Sequence, residues 1–295
     1  FFKPGEDTAL RLNLDYVDQL NSSGPNLRPA PNTTPRVPGF RKTSNRYDTD
    51  TSIDNSIDLA SGGVSVDIDH ALQFARIVSI SAYREYKFRE LFDPSLGPVA
   101  QIHQSVPQKG EQFSQEIQLV SNENEAFDWV AGLYYFYAKD RFDEPFEQNN
   151  FGANAFPFAT QQILGDATLK TDSKAAFGQA TLRVLPETRL TLGLRYTDEL
   201  RKLNGRIHGT FFDALIPLGP PFNLAPGDDL DLAFLFPPLV DRDKFQKLTW
   251  RIAVDHSLRP DILSYVSYNR GFKSGGFNAF NPSSLNPAYK PEEVD

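Results

Sequence analysis

The sequence predicts an all-β chain whose strands form an antiparallel meander with one apolar and one polar face. Apolar residues recur at every second position in nine segments of the 295-residue chain. The connections between those segments alternate between short turns and long stretches rich in Pro, Gly and Asn. Aromatic residues are frequent, with 24 Phe, 11 Tyr and 2 Trp making up 13% of the chain. A period of two is the strand period, since successive side chains point to opposite faces.

In each segment, the alternation of apolar and polar residues predicts a strand. In residues 7–17, Leu10, Leu12 and Leu14 alternate with Arg11, Asn13 and Asp15. The predicted strands are residues 7–17, 64–69, 78–83, 113–119, 127–137, 173–183, 190–197, 248–255 and 261–272. In residues 78–83 we assign Val78, Ile80 and Ala82 to the apolar face. The predicted polar face carries Arg11, Asp15, Asp67, Asp69, Glu116, Arg195, Arg251 and Asp255.

The connections favour a transmembrane β-barrel over a soluble β-sandwich. Short turns are predicted at residues 70–74, 122–126, 185–188 and 257–261, and long loops at 18–60, 89–110, 139–170 and 203–243. Compact soluble domains seldom carry several structureless loops of such length. Outer-membrane barrels combine short periplasmic turns with long extracellular loops. Aromatic residues near the strand ends fit the girdles of such a barrel: Tyr16, Tyr83, Tyr86, Phe127, Trp129, Tyr135, Tyr137, Tyr196, Trp250 and Tyr265.

Composition excludes several functional classes. The net charge of −8 argues against a nucleic-acid partner, which would require a basic patch. The chain has no Cys and only four His without a close pair, so we predict no thiolate chemistry and no metal site. Catalytic and nucleotide-binding motifs are absent, and residues 273–276 (KSGG) lack the spacing of a phosphate-binding loop. We therefore predict neither an enzyme nor a cofactor.

The candidate binding features lie in the long loops, and none is specific enough to assign a site. The acidic residues Asp228, Asp229 and Asp231 are those of a solvated loop or a weak site for a hard cation. The apolar strings at 211–212 and 232–240 either pack on neighbouring loops or contact an apolar ligand. Loop cations could receive an anionic chelate by charge and stacking: Arg28, Arg36, Arg41, Lys42 and Arg46.

Three stretches of the chain carry hairpin patterns of a known family. Residues 112–137 (QFSQEIQLVSNENEAFDWVAGLYYFY) resemble a strand–turn–strand hairpin of the TonB-dependent outer-membrane receptors. Residues 174–198 (KAAFGQATLRVLPETRLTLGLRYTD) and 249–278 (TWRIAVDHSLRPDILSYVSYNRGFKSGGFN) resemble two further hairpins, and residues 289–294 (YKPEEV) the segment after the last. The resemblance covers residues 75–295 in order.

The resemblance implies a 22-stranded barrel with an N-terminal plug, which imports large nutrients, most often ferric siderophores, with energy from the TonB complex. Residues 1–295 would then be a partial barrel domain of about nine strands, with the plug and the C-terminal strands absent. The lack of Met agrees with an internal segment. The expected location is the outer membrane of a Gram-negative bacterium, in contact with its lipid. A passive porin-like barrel and a soluble carbohydrate-binding β-sandwich remain the alternatives.

Overall fold

A computed structural model of the chain describes residues 2–22, 53–93, 104–122, 124, 126–143, 146–147, 160–211, 229–231, 238–278 and 288–295. These residues form fifteen strands. The nine long ones are β2 (Thr8–Asn21), β3 (Ser56–Ala71), β4 (Ala75–Phe92), β5 (Gln104–Ser121), β6 (Phe127–Asp143), β8 (Thr160–Leu185), β9 (Thr188–Phe211), β11 (Leu239–Arg259) and β12 (Ile262–Lys273). The short ones are β1 (Phe2–Gly5), β7 (Phe146–Glu147), β10 (Asp229–Asp231), β13 (Gly276–Phe277), β14 (Ala288–Tyr289) and β15 (Glu292–Val294). That part of the chain contains no helix long and apolar enough to span a membrane.

The long strands pair in sequence order, and every pair is antiparallel. One sheet runs β1-β2-β3-β4-β5-β6-β8-β9-β11-β12-β15, with β7 and β10 as short extensions on β8 and β9. Strands β13 and β14 form a separate hairpin. No pairing joins the first strands to the last among the described residues, so the sheet is open. The predicted nine-strand antiparallel meander is confirmed.

Eight of the nine long strands are longer than the sequence predicts, and the long loops are correspondingly shorter, whereas β12 is shifted by one residue. For example, β8 and β9 remain paired from Leu185 and Thr188 as far as Thr160 and Phe211. The period-two pattern identified only the half of each strand that has an apolar face. In the other half the side chains of that face are mostly polar, for example Lys139, Lys170 and Lys202, but the backbone groups still pair with the neighbouring strands.

The register confirms two continuous faces, and it corrects the orientation of β4. Val64 of β3 pairs with Tyr83, and Tyr83 pairs with Phe113 of β5, so Tyr83 lies on the apolar face. Ile80 pairs with Asp67 and therefore lies on the polar face. The assignment of Val78, Ile80 and Ala82 to the apolar face was wrong. Both sides of β4 carry apolar residues, so alternation within this strand does not identify the apolar face.

Two threonine–histidine pairs show that neighbouring strands are staggered. Thr8 Oγ1 lies 2.9 Å from His70 Nδ1, and Thr188 Oγ1 lies 2.9 Å from His256 Nδ1. Both pairs lie at the short-turn end of the sheet, which we call the lower end. Successive cross-strand pairs connect His70 on β3 to Trp250 on β11 through Ile77, Leu119, Ala131, Gly178 and Leu194. Trp250 lies six residues above His256 on β11. We take the two threonine–histidine pairs to lie at equal height, because Thr8 and Thr188 each begin a strand at the lower end. On that basis, equal height shifts by one residue per strand.

This stagger gives the strand tilt. One residue advances about 3.3 Å along a strand, and neighbouring strands lie about 4.8 Å apart. Their ratio corresponds to a tilt of about 35° from the axis, within the range of closed membrane barrels.

The aromatic residues of the apolar face follow the same stagger. Cross-strand pairing connects Tyr83 to one residue on each of β2, β6 and β9. That residue lies two positions below Tyr16 on β2, two positions above Tyr135 on β6, and four positions above Tyr196 on β9. A shift of one residue per strand therefore brings these four tyrosines to a single height, and we call them the aromatic girdle. Of the other predicted girdle residues, Tyr86 and Tyr265 were wrong, since their register places them on the polar face.

Candidate functional site: the polar face

The polar face is a continuous surface of charged and aromatic side chains that cross from strand to strand. The register places every predicted polar-face residue on this side of the sheet. Three glycines are central to its geometry, because each lies on a middle strand beneath a long side chain from the next strand.

At Gly63 this arrangement permits an ion pair across an intervening strand. Asp15, Gly63 and Arg84 are directly paired on β2, β3 and β4. Arg84 Nη2 donates to both carboxylate oxygens of Asp15 at 2.6 Å, and Nη1 donates to Ser61 Oγ at 3.3 Å. A Cβ on residue 63 would lie 3.4 Å from the Arg84 side chain and 3.0 Å from the Tyr83 carbonyl oxygen. The missing side chain thus leaves the space that the guanidinium crosses.

At Gly110 the crossing side chain is a tyrosine. Tyr86, Gly110 and Asp140 are paired on β4, β5 and β6, and the Tyr86 hydroxyl donates to Asp140 Oδ1 at 2.9 Å. A Cβ on residue 110 would lie 2.6 Å from that oxygen and closer still to the Tyr86 ring. Only glycine fits beneath this contact.

At Gly132 the crossing side chain is part of a stack of two aromatic rings and one arginine. A Cβ on Gly132 would lie 2.5 Å from the Phe177 ring, which covers the glycine. The Arg195 guanidinium lies 5.3 Å from the centre of the Tyr134 ring and 5.6 Å from that of Phe177. Both separations are within cation–π range. Arg195 also donates from Nε to Thr197 Oγ1 at 3.3 Å, so the cation is held above the wall of the sheet.

The segment after β12 folds over the upper part of the same face. Phe277 is 6% exposed and packs in a buried cluster with Ala167 and Leu203, the latter 1% exposed. A Cβ on Gly276 would lie 2.5 Å from the Tyr289 hydroxyl and 2.8 Å from Arg201 Nη1. The KSGG motif therefore spans the end of β12 at Lys273 and the start of β13 at Gly276.

Most sequence-predicted loop candidates lie outside the described residues. This holds for Arg28, Arg36, Arg41, Lys42, Arg46, Asp228, Phe212 and residues 232–237. Asp229 and Asp231 lie in β10, where they pair with Thr210 and His208. Across the described ranges, no group of three or more His, Cys, Asp or Glu residues could hold a metal ion.

Sequence reasoning missed Arg84, Tyr86 and Phe177 as structural centres of the polar face. Their roles depend on which residue lies beside each of them on the neighbouring strand. A glycine opposite a long side chain is the signal that could have identified them. This signal can be recognised only when the register is known.

The comparisons with known proteins match this geometry. The family model described as TonB dependent receptor-like, beta-barrel matches residues 2–295. The chain belongs to this family. A search of curated proteins found no match.

Three solved structures similar to this receptor segment are siderophore receptors. The ferric yersiniabactin uptake receptor FyuA from Yersinia pestis has a TM-score of 0.61 at 16% identity, over 82% of this chain and 33% of that one. The ferric-catecholate import receptor Fiu from E. coli K12, in its closed form, has a TM-score of 0.65 at 14% identity, over 99% and 46%. The siderophore receptor PiuA from Acinetobacter baumannii has a TM-score of 0.63 at 12% identity, over 97% and 44%. The receptor segment spans less than half the length of each.

The family explains why the sheet has two faces of opposite character. It is a family of outer-membrane β-barrels. Strands of such barrels alternate apolar residues toward lipid with polar residues toward the lumen. The apolar face corresponds to the lipid-facing side of such a barrel, and the face with the Arg84, Tyr86 and Arg195 contacts corresponds to its lumen side.

Proposed function

We propose that the segment is part of the barrel wall of an outer-membrane receptor that imports a ferric siderophore with energy from the TonB complex. The family match over residues 2–295 carries the proposal. The siderophore receptors among the structural neighbours support the choice of ligand class. The segment carries out no covalent chemistry in this proposal, and its known relatives are transport receptors.

The lumen face has properties that suit passage of a large polar cargo. Two ion pairs cross between its strands, Arg84–Asp15 and Arg76–Asp69. Arg195 lies over two of its aromatic rings. Such a wall offers hydrogen-bonding groups without one site that would bind the cargo tightly. We infer that ligand capture resides in the long extracellular loops, and that residues 1–295 work together with a plug domain and further barrel strands.

The alternatives are less favoured. A β-sandwich would cover the apolar face with a second sheet, yet Leu14, Leu133 and Leu194 are 73%, 63% and 54% exposed. A passive porin shares the barrel architecture but belongs to a different functional class.

A transport assay on the complete receptor tests the proposal. The gene would be expressed in a strain that lacks its own siderophore receptors, and uptake of ⁵⁵Fe-labelled catecholate, hydroxamate and phenolate siderophores would be measured. We expect uptake of at least one class, and loss of that uptake when TonB is deleted. Uptake that continues unchanged without TonB would indicate a passive pore.

A further inference from the structure

The upper end of β9 carries a histidine that is held between strands. His208 lies on the same side of the sheet as Tyr196 and about 40 Å farther along the strand. Its side chain is 13% exposed, and its Nε2 lies 3.6 Å from Asp166 Oδ2 on β8. Arg206 Nε lies 3.3 Å from the same oxygen. A separation of 3.6 Å exceeds a hydrogen bond, so the attraction of His208 to Asp166 requires the charged imidazolium.

The register places His208 among acidic residues of four other strands. Three successive rows of paired residues on this side of the sheet run through Arg206, His208 and Thr210. The acidic residues of these rows are Asp143 of β6, Glu147 of β7, Asp166 of β8, and Asp229 and Asp231 of β10. Arg206 is the one permanent cation in the same described rows. A proton on His208 therefore adds positive charge to a set of positions that is negative without it.

Strand β10 is the element whose attachment depends on this charge. It pairs with β9 through three residues only, at residues 208–210, on the edge of β9 that β11 occupies as far as Gly205. Asp231 is the residue directly opposite His208. Opposite charges in directly opposed positions stabilise a strand pair. So short a pairing opens easily, whereas the continuous β8–β9 pairing beside it does not depend on one contact.

We propose that His208 is a proton-dependent latch that docks strand β10 onto β9 when the imidazole is charged. Histidine is the side chain that ordinarily changes charge between pH 5 and 8. Docking of β10 is therefore favoured at the acidic end of this range and weakens as the pH rises and the imidazole loses its proton. The latch rests on strand geometry, whereas its exposure to external pH rests on the proposed outer-membrane location.

The test follows hydrogen exchange of the amides of residues 229–231 in the complete receptor purified in detergent. Exchange is measured at about pH 5.5 and about pH 8, near the two ends of the range in which histidine changes charge. The rates are corrected for the intrinsic pH dependence of exchange. The test variant His208→Gln removes the titratable group. The matched control His256→Gln removes a histidine from the lower end of the sheet, where it contacts Thr188.

We expect the parent receptor and the control to exchange these amides about two- to fivefold faster at the higher pH, the range for one opposite-charge pair across strands. In His208→Gln the corrected rates should be equal at the two pH values and as fast as those of the parent at the higher pH. His208→Lys, which carries a permanent cation, should exchange slowly at both.

Equal corrected rates in the parent at the two pH values would overturn the latch. A pH dependence that survives in His208→Gln, its loss in His256→Gln, or fast exchange in His208→Lys would also overturn it. Circular dichroism verifies folding, and Asp231→Asn takes the place of His208→Gln if that variant does not fold. Siderophore uptake is measured separately, so a failed latch leaves the transport function standing.

Discussion

At the scale of single residues, this protein depends on glycines that lie beside large side chains. Gly63, Gly110 and Gly132 lie in the middle of strands, where a glycine weakens pairing and packs nothing itself. Each is covered by Arg84, Tyr86 or Phe177 from the next strand. These glycines contribute the space that they leave. That space allows side chains of the two flanking strands to contact each other on the lumen face.

We predict that Gly110→Ala destabilises the receptor by about 1 to 3 kcal/mol, the usual cost of overpacking. The new methyl group would meet the Tyr86 ring and Asp140. The measurement is urea-induced unfolding of the complete receptor in detergent, followed by tryptophan fluorescence. Gly271→Ala is the control, because a Cβ there meets nothing within 4 Å. The double variant Gly110→Ala, Tyr86→Ala should recover part of the loss; equal effects of the two alanine substitutions would refute the steric account.

Phe277 gives a second prediction at this scale. Its ring is buried against Ala167 and Leu203 on the lumen face and anchors the β13–β14 hairpin. Phe277→Ala should therefore free the hairpin, at a cost of about 3 to 5 kcal/mol if the site does not collapse. Hydrogen exchange of the amides of residues 276–277 and 288–289 should accelerate. The control is Val240→Ala, at a 71% exposed position, which should leave that exchange unchanged. If exchange in Phe277→Ala is as slow as in the parent protein, the anchoring role is contradicted.

At the scale of the strand, position along its length decides what surrounds a side chain. On β9, Leu192 and Leu200 are both on the apolar face, paired with Ile252 and Lys244. The stagger places Leu192 below the aromatic girdle and within the apolar band. It places Leu200 above the girdle, beside Lys244. The same residue type on one strand and one face thus samples two environments.

We predict that Leu192→Arg costs about 2 to 4 kcal/mol and that Leu200→Arg costs about 0 to 1 kcal/mol. These are the ranges for an arginine on the lipid face near the bilayer midplane and near the interface. The measurement is reversible unfolding of the complete receptor in lipid vesicles. Equal costs for the two variants would show that the heights derived from the stagger are wrong.

At the scale of the whole molecule, the sheet has a barrel's tilt, but its described strands do not close. Within the described ranges, pairing ends at β1 on one side and at β15 on the other, which leaves unpaired edges beside a broad exposed apolar face. Such edges and patches promote association. The additional strands of a complete receptor would cover both.

We therefore expect residues 1–295, produced alone and refolded in detergent, to form heterogeneous oligomers. Size-exclusion chromatography with light scattering measures this, with the complete receptor as the monodisperse reference. A stable monomer with the circular dichroism of the complete barrel would contradict the expectation that the segment needs its neighbours.

The sequence by itself determined the fold class, the nine long strands and the short turns, because those features depend on period-two alternation and local turn residues. It also determined the family, through hairpin motifs that the family match confirmed. The alternation predicted the apolar face correctly in β2, β3, β5, β6, β9 and β11, where one side is clearly apolar.

The tertiary structure alone decided the face of β4, the partners of Gly63, Gly110 and Gly132, and the assembly of the aromatic girdle. Those features depend on register, and a shift of one residue would move every side chain to the opposite face. Register links residues far apart in the chain, such as Asp15 and Arg84 or Lys139 and Lys170. Local alternation carries no information about such pairs, so only the assembled sheet brings them together.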